Sequence, residues 1–202
     1  MKLAMVFPGQ GSQTVGMLEG YAGLLGIEET AAEAAQALGK DFVQLLHEGP
    51  AEQLNLTVNT QPAMVTAGFA VYRAWLALGG PKPAMVAGHS LGEYTALVAA
   101  EALSFRDCLP LVRFRAQAMQ EAVPEGQGAM AAILGLDDAT AEEVCARASE
   151  QGGSCVAANY NAPGQLVSGS DIVDAGRADD VAFYIQEYGT EQRALLRNVF
   201  HS

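Results

Sequence analysis

Ala84-Met85-Val86-Ala87-Gly88-His89-Ser90-Leu91-Gly92-Glu93-Tyr94 joins a short apolar run to a helical one across a serine flanked by glycines. Ala84–Ala87 is a short apolar run and reads as a buried strand. Leu91–Ala102 reads as a helix. Between them stands Gly-x-Ser-x-Gly, with Ser90 at the point of reversal. A strand that turns this sharply into a helix needs small residues two before and two after the serine, or the two elements collide. The serine then sits at a helix N-terminus, where the dipole favours developing negative charge. The reading is a nucleophile elbow; the plain alternative is a packing turn.

On both sides of this stretch, short strand-like runs alternate with longer helical ones, which argues an α/β architecture with parallel strands. Leu3–Phe7 reads as a first strand and is followed by the turn Pro8-Gly9-Gln10-Gly11-Ser12-Gln13. Ile27–Leu38 reads as a helix with Glu28, Glu29 and Glu33 on its wet side, and Phe42–Glu48 as a shorter one. Gln61–Leu78 is predicted as a long helix ending at Gly79-Gly80-Pro81. Ser104 is the predicted N-cap of a helix that runs to Ala122, before Pro124-Glu125-Gly126.

Beyond residue 124 the order changes. Gly128–Leu136 is strand-like, Asp138–Gln151 helical, Ser154–Asn159 and Gln165–Val167 strand-like around the turn Asn161-Ala162-Pro163-Gly164. Asp180–Tyr188 is helical and Arg193–Val199 reads as a last strand. Strand, helix, two strands, helix, strand is the split βαβ pattern of a ferredoxin-like unit.

The chain has 202 residues, 50% of them hydrophobic and 17% charged, which is enough to bury a core and excludes disorder as the main state. Eleven Lys+Arg against 23 Asp+Glu leave a net charge of -12, with no gathering of basic residues, so nucleic-acid binding is set aside. No apolar run reaches the roughly 18 residues a membrane helix needs. Cys108, Cys145 and Cys155 form no CxxC pair; they read as reduced, buried thiols, not as zinc ligands or a disulfide framework, and the chain is expected to be cytoplasmic.

A serine nucleophile needs a base, and the sequence holds three histidines. His89 precedes Ser90 and should point away from where a base must sit, leaving packing or substrate lining. His47 reads as a surface residue. His201, in Val199-Phe200-His201-Ser202, is penultimate and taken alone reads as a terminal histidine. An oxyanion needs donors: the Leu91 amide is one natural choice, and the glycine turn with Gln10 could supply the second. Arg115 alone reads as a charge on a helix face.

Phe7-Pro8-Gly9-Gln10-Gly11-Ser12-Gln13, Thr60-Gln61-Pro62-Ala63, Gly88-His89-Ser90-Leu91-Gly92-Glu93-Tyr94, Arg115-Ala116-Gln117-Ala118-Met119-Gln120, Gly128-Ala129-Met130-Ala131 and Asn159-Tyr160-Asn161-Ala162-Pro163-Gly164-Gln165 occur in this order. Together they resemble the malonyl-CoA:acyl carrier protein transacylases, closely over residues 1–168, and are similar to acyltransferase domains of polyketide synthases. The resemblance implies Ser90 as the acyl-carrying nucleophile, Gln10 and Leu91 as oxyanion-hole amides, and Arg115 as the two-pronged partner of the malonyl carboxylate. It implies Gln61 as a support for Arg115 or the nucleophile turn, His89 and Asn161 as substrate-lining residues, and His201 as the base. Phe200 corresponds to the malonyl-type choice before the histidine.

The fold implied is an α/β-hydrolase-like large subdomain over 1–123, incomplete here, with an inserted ferredoxin-like small subdomain over 124–199 and a return to the large subdomain at 200–202. From Ser170 to Asn198 the match is poor. Family members continue past the histidine, so residues 1–202 are expected to fold and turn over poorly alone. Malonyl-CoA and acyl carrier protein are the implied partners; no metal, no organic cofactor, no nucleic acid and no membrane is expected, and a monomer is. Arg113, Arg193 and Arg197 are the candidate basic patch for an acidic carrier, or else scattered solvated charges. Two other functions stay open. One is a serine esterase or thioesterase on the same elbow, with Asp107, Asp138 or Asp171 as the acid of a triad. The other is an inactive carrier-binding fragment.

Overall fold

The computed structural model describes residues 2–122, 129–150, 154–171 and 197–198. The chain divides into two compact units, Met1–Met119 and Gln120–Ser202.

In the first unit, β1 (Ala4–Phe7) and β2 (Met85–Gly88) pair in parallel, Ala4 against Met85 through Phe7 against Gly88. Parallel neighbours need a crossover, and the helices between them supply it: α1 (Ile27–Leu38), α2 (Lys40–Glu48), α3 (Ala51–Leu54) and α4 (Thr57–Ala77). A 3₁₀ turn, Glu19–Tyr21, precedes α1. After β2 come α5 (Leu91–Ala99) and α6 (Phe105–Ala122). Phe7, Val65, Phe69, Leu91, Phe105 and Leu109 share one core cluster.

Two sequence expectations change here. The strand before Ser90 is not buried on both faces: Val86 packs against the core, while Met85 is 61% exposed. Side chains alternate across a strand, and among the described residues β2 pairs with β1 alone, so one face looks inward and one outward. The long helix starts at Thr57, four residues before Gln61, with Pro62 inside it. Proline is favoured in the first turn of a helix and weakens an interior one. Burial decides otherwise: Thr60 to Thr66 are all buried, and this packing holds the turn that proline weakens.

Where caps are local, sequence and structure agree. Ser104 Oγ accepts the Asp107 N–H at 3.1 Å and donates to Asp107 Oδ2 at 2.6 Å, closing the N-terminus of α6. His47 is exposed near the end of α2.

The second unit holds β3 (Ala129–Leu134), α7 (Asp138–Glu150), β4 (Ser154–Ala162), β5 (Gln165–Asp171) and β6 (Arg197–Asn198). Its sheet runs β4-β5-β3-β6 with antiparallel neighbours throughout. Ile133, Ala141, Val144 and Leu166 form its core under α7. Asp137 caps α7 by accepting the Thr140 N–H at 2.9 Å, which holds its carboxyl below the usual range. The expected helix Asp180–Tyr188 lies outside the described residues.

Cys108, Cys145 and Cys155 are all buried. Burial pushes the Cys108 thiol up to about 12, and a hydrogen bond with Cys155 together with burial raises Cys145. Since the thiolate is the reactive form, Cys108 and Cys145 are expected to resist iodoacetamide at about pH 8 in the native protein and to react once unfolded. Labelling counted by mass spectrometry checks this; stoichiometric alkylation of either in the native protein would contradict it.

Among the described residues, no helix is long and apolar enough to cross a membrane.

Candidate active site

Ser90 sits between β2 and α5 with φ 53° and ψ -117°. A non-glycine residue at positive φ is uncommon and persists only where its surroundings enforce it. The surroundings are two glycines. A Cβ at Gly88 would lie 2.0 Å from the Gly92 carbonyl carbon, and one at Gly92 would lie 2.3 Å from Phe7 O. The N-terminus of α5 therefore rests on the backbone at the end of β1. Leu91, 1% exposed, anchors the helix in the core beneath Ser90, which is itself exposed.

Both glycines are thus required by backbone contact. Gly88→Ala is expected to cost about 3 kcal/mol and to lower the unfolding midpoint by about 6–12 °C. Calorimetry checks this; an unchanged midpoint would contradict the elbow geometry.

Arg115, on α6, reaches Ser90 across 25 positions of sequence. Its Nη2 donates to Ser90 Oγ at 3.0 Å and its Nη1 donates to Gln61 Oε1 at 2.7 Å. Gln61 is 1% exposed, and a buried carboxamide needs partners at both ends. Its Nε2 donates to Met119 Sδ at 3.4 Å. The Arg115 guanidinium also lies 5.7 Å from the centre of the Tyr94 ring, within cation–π range. A guanidinium held this way keeps a fixed orientation, with donors left for a carboxylate.

The turn after β1 faces the elbow. A Cβ at Gly9 would lie 3.1 Å from His89 Nδ1 and 3.8 Å from Ser90 Cβ. Gln10 follows in this turn. At the first residue of α5, the Leu91 N–H has no intrahelical acceptor.

The structure therefore brings Ser90, Arg115 and Gln61 into direct contact, with His89 against the glycine turn. Asn161 lies on β4 of the second unit. His201 and Arg193 lie outside the described residues. Arg197 is on β6 of the second unit, and Arg113 packs over the Phe42 ring at 5.6 Å in the first. Of the carboxylates considered for a triad, Asp107 is engaged in capping α6 and Asp138 is exposed in the first turn of α7. Asp171 ends β5.

Sequence reading missed Tyr94 and Met119 as parts of the site. Helical spacing carried the signal: Tyr94 is four residues after Ser90, and Met119 is four after Arg115, so each shares its partner's face.

The family model for the acyl transferase domain matches residues 4–200. The malonyl CoA-acyl carrier protein transacylase of Escherichia coli K12 is 57% identical over 168 residues, covering 82% of this chain and 54% of that protein. The protein of the same name from Bacillus subtilis is 47% identical over 205 residues, covering 100% of the chain and 63% of its own length. The chain thus spans about half to two thirds of the length of these curated relatives. A crystal structure of an acyl-carrier-protein S-malonyltransferase from Burkholderia pseudomallei superposes with a TM-score of 0.89 at 56% identity, over 98% of this chain and 62% of that one. A malonyl-transacylase in complex with a type II polyketide synthase acyl-carrier protein superposes with a TM-score of 0.89 at 42% identity, over 98% and 62%. On the match over residues 4–200 and identities of this order, the chain belongs to the acyl transferase domain family.

Proposed function

We propose that this protein transfers a malonyl group from malonyl-CoA to the phosphopantetheine thiol of acyl carrier protein, through a malonyl ester on Ser90, in the cytoplasmic synthesis of fatty acids. The observation that carries the reading is Arg115, fixed by Gln61 and Tyr94 and reaching Ser90 Oγ. A plain esterase has no use for a guanidinium beside its nucleophile, whereas an acyl group ending in a carboxylate requires a cation there. Of the carboxylates considered for a triad, Asp107 is the one in this unit, and it is engaged in capping α6.

Ser90 Oγ attacks the thioester carbonyl as His201 takes its proton, and the developing oxyanion lies between the Gln10 and Leu91 amides. CoA leaves with the proton. The carrier thiol, deprotonated by the same histidine, then attacks the ester, and Ser90 is regenerated. Arg115 holds the malonyl carboxylate throughout, with His89 and Asn161 lining the substrate. The names of the relatives support this chemistry, and the carrier complex of one of them supports the acceptor.

The fold we propose is an α/β-hydrolase-like large subdomain over 1–123 and 200–202 with a ferredoxin-like small subdomain over 124–199. The parallel β1–β2 pair and elbow support the first, and the sheet order β4-β5-β3-β6 supports the second.

Incubation with malonyl-CoA and the thiol-bearing carrier should yield malonyl-carrier, resolved by electrophoresis. With a net charge of -12 facing an acidic carrier, attraction rests on local basic residues, and the transfer rate should fall as salt rises. Absence of malonyl-carrier, with malonyl-CoA consumed only by hydrolysis, would overturn the transferase reading in favour of a hydrolase.

A further inference from the structure

The turn that faces Ser90, residues 8–13, belongs to no helix or strand. A side chain ties it to the rest of the unit. Gln13 Oε1 accepts the Gly11 N–H at 2.8 Å, and Gln13 Nε2 donates to Asn55 Oδ1 at 3.0 Å, 42 residues away. The orientations are forced. A backbone N–H can only donate, so Gln13 must offer its oxygen to Gly11 and its nitrogen to Asn55, and Asn55 must answer with its oxygen.

Asn55 stands on a fixed base. It is the C-cap residue of α3, and its N–H donates to Ala51 O at 2.9 Å. Next to it, Thr60 Oγ1 donates to Leu54 O at 2.6 Å and Asn59 Nδ2 donates to Gln53 O at 2.9 Å, which lock α3 onto α4. Gln61, which holds Arg115, is the following residue. One junction therefore sets both sides of the site: the guanidinium through Gln61, and the glycine turn through Asn55 and Gln13.

We infer that Gln13 and Asn55 are positioning residues that clamp the oxyanion turn beside Ser90. The inference rests on the acyl transfer proposed above. The clamp engages the Gly11 amide and so leaves the Gln10 amide to meet the oxyanion. Both of its bonds are solvent-exposed, so they add little to stability, while a small displacement of a donor from a developing charge is felt strongly in rate.

The test measures steady-state release of CoA from malonyl-CoA with the carrier thiol present as acceptor, with kcat and KM separated, in Gln13→Ala, Asn55→Leu, their double variant and Asn55→Asp. Each of the first two is expected to lower kcat about tenfold with KM changed less than about twofold, because the donor is displaced rather than removed. The double variant should be no worse than either single one, since both break the same clamp. Asn55→Asp keeps an acceptor for Gln13 Nε2 and should recover most of the lost rate. Melting midpoints should stay with the parent's. Parental kcat in both single variants, losses that multiply in the double, or no recovery with aspartate would overturn the clamp. A parent protein that forms no acyl ester at Ser90 would instead overturn the function on which it rests.

Discussion

Alanine at position 90 is expected to abolish acyl-enzyme formation, lowering CoA release by about 10⁴-fold or more, while the fold survives. The size follows from the role. In the proposed reaction Ser90 Oγ is the atom that bonds to the acyl carbon, so no neighbour can substitute for it. The fold should survive because Ser90 is exposed and its unusual backbone angles are enforced by Gly88 and Gly92 on either side. Removing the hydroxyl also frees Arg115 Nη2 from its contact with Oγ, while Gln61 still holds Nη1. Ser90→Ala should therefore keep its affinity for malonate. Stopped-flow measurement of CoA release, with calorimetry of malonate binding, checks both halves. Acyl transfer at a tenth of the parental rate would remove Ser90 from the chemistry.

The second large effect concerns selectivity. Arg115→Ala is expected to lower kcat/KM for malonyl-CoA by about 2–5 kcal/mol, or about 30-fold to several thousandfold, while acetyl-CoA changes by no more than a few-fold. In the proposed complex the malonyl carboxylate would be left unpaired, and the acetyl group has none to lose. Arg115→Lys should fall between: it restores a positive charge but loses the planar fork that meets both carboxylate oxygens and Gln61 together. Rates for the two acyl-CoA substrates, compared across the three proteins, check the order. Full malonyl preference in Arg115→Ala would mean the carboxylate is read elsewhere.

What could be read in the sequence was what local sterics dictate. Gly88 and Gly92 announce the elbow because no other residue fits against the backbone there, and α1 runs over the expected Ile27–Leu38. The Ser104 cap is a contact between residues three apart, so it too is written locally. What could not be read was set by packing at a distance. Burial on every side carries α4 through Pro62, which sequence logic places at a helix start. The outward face of β2 depends on what lies beside the strand, not on its own apolar residues. Within the site, Ser90 and Arg115 could each be named from motifs, but their hydrogen bond depends on where α6 lies beside α5. The Gln13–Asn55 bond has no local signature at all, since its partners are 42 residues apart and neither stands in a periodic pattern with the other.

In the proposed reaction Ser90 carries the acyl group and Arg115 selects one ending in a carboxylate. The most direct test is mass spectrometry of the intact protein, then of its peptides, after brief exposure to equal malonyl-CoA and acetyl-CoA. One malonyl group per chain is expected, on Ser90 in the peptide containing Gly88-His89-Ser90-Leu91-Gly92, with acetyl far behind and neither adduct in Ser90→Ala. An adduct on another residue, or acetyl equal to malonyl on Ser90, would contradict it.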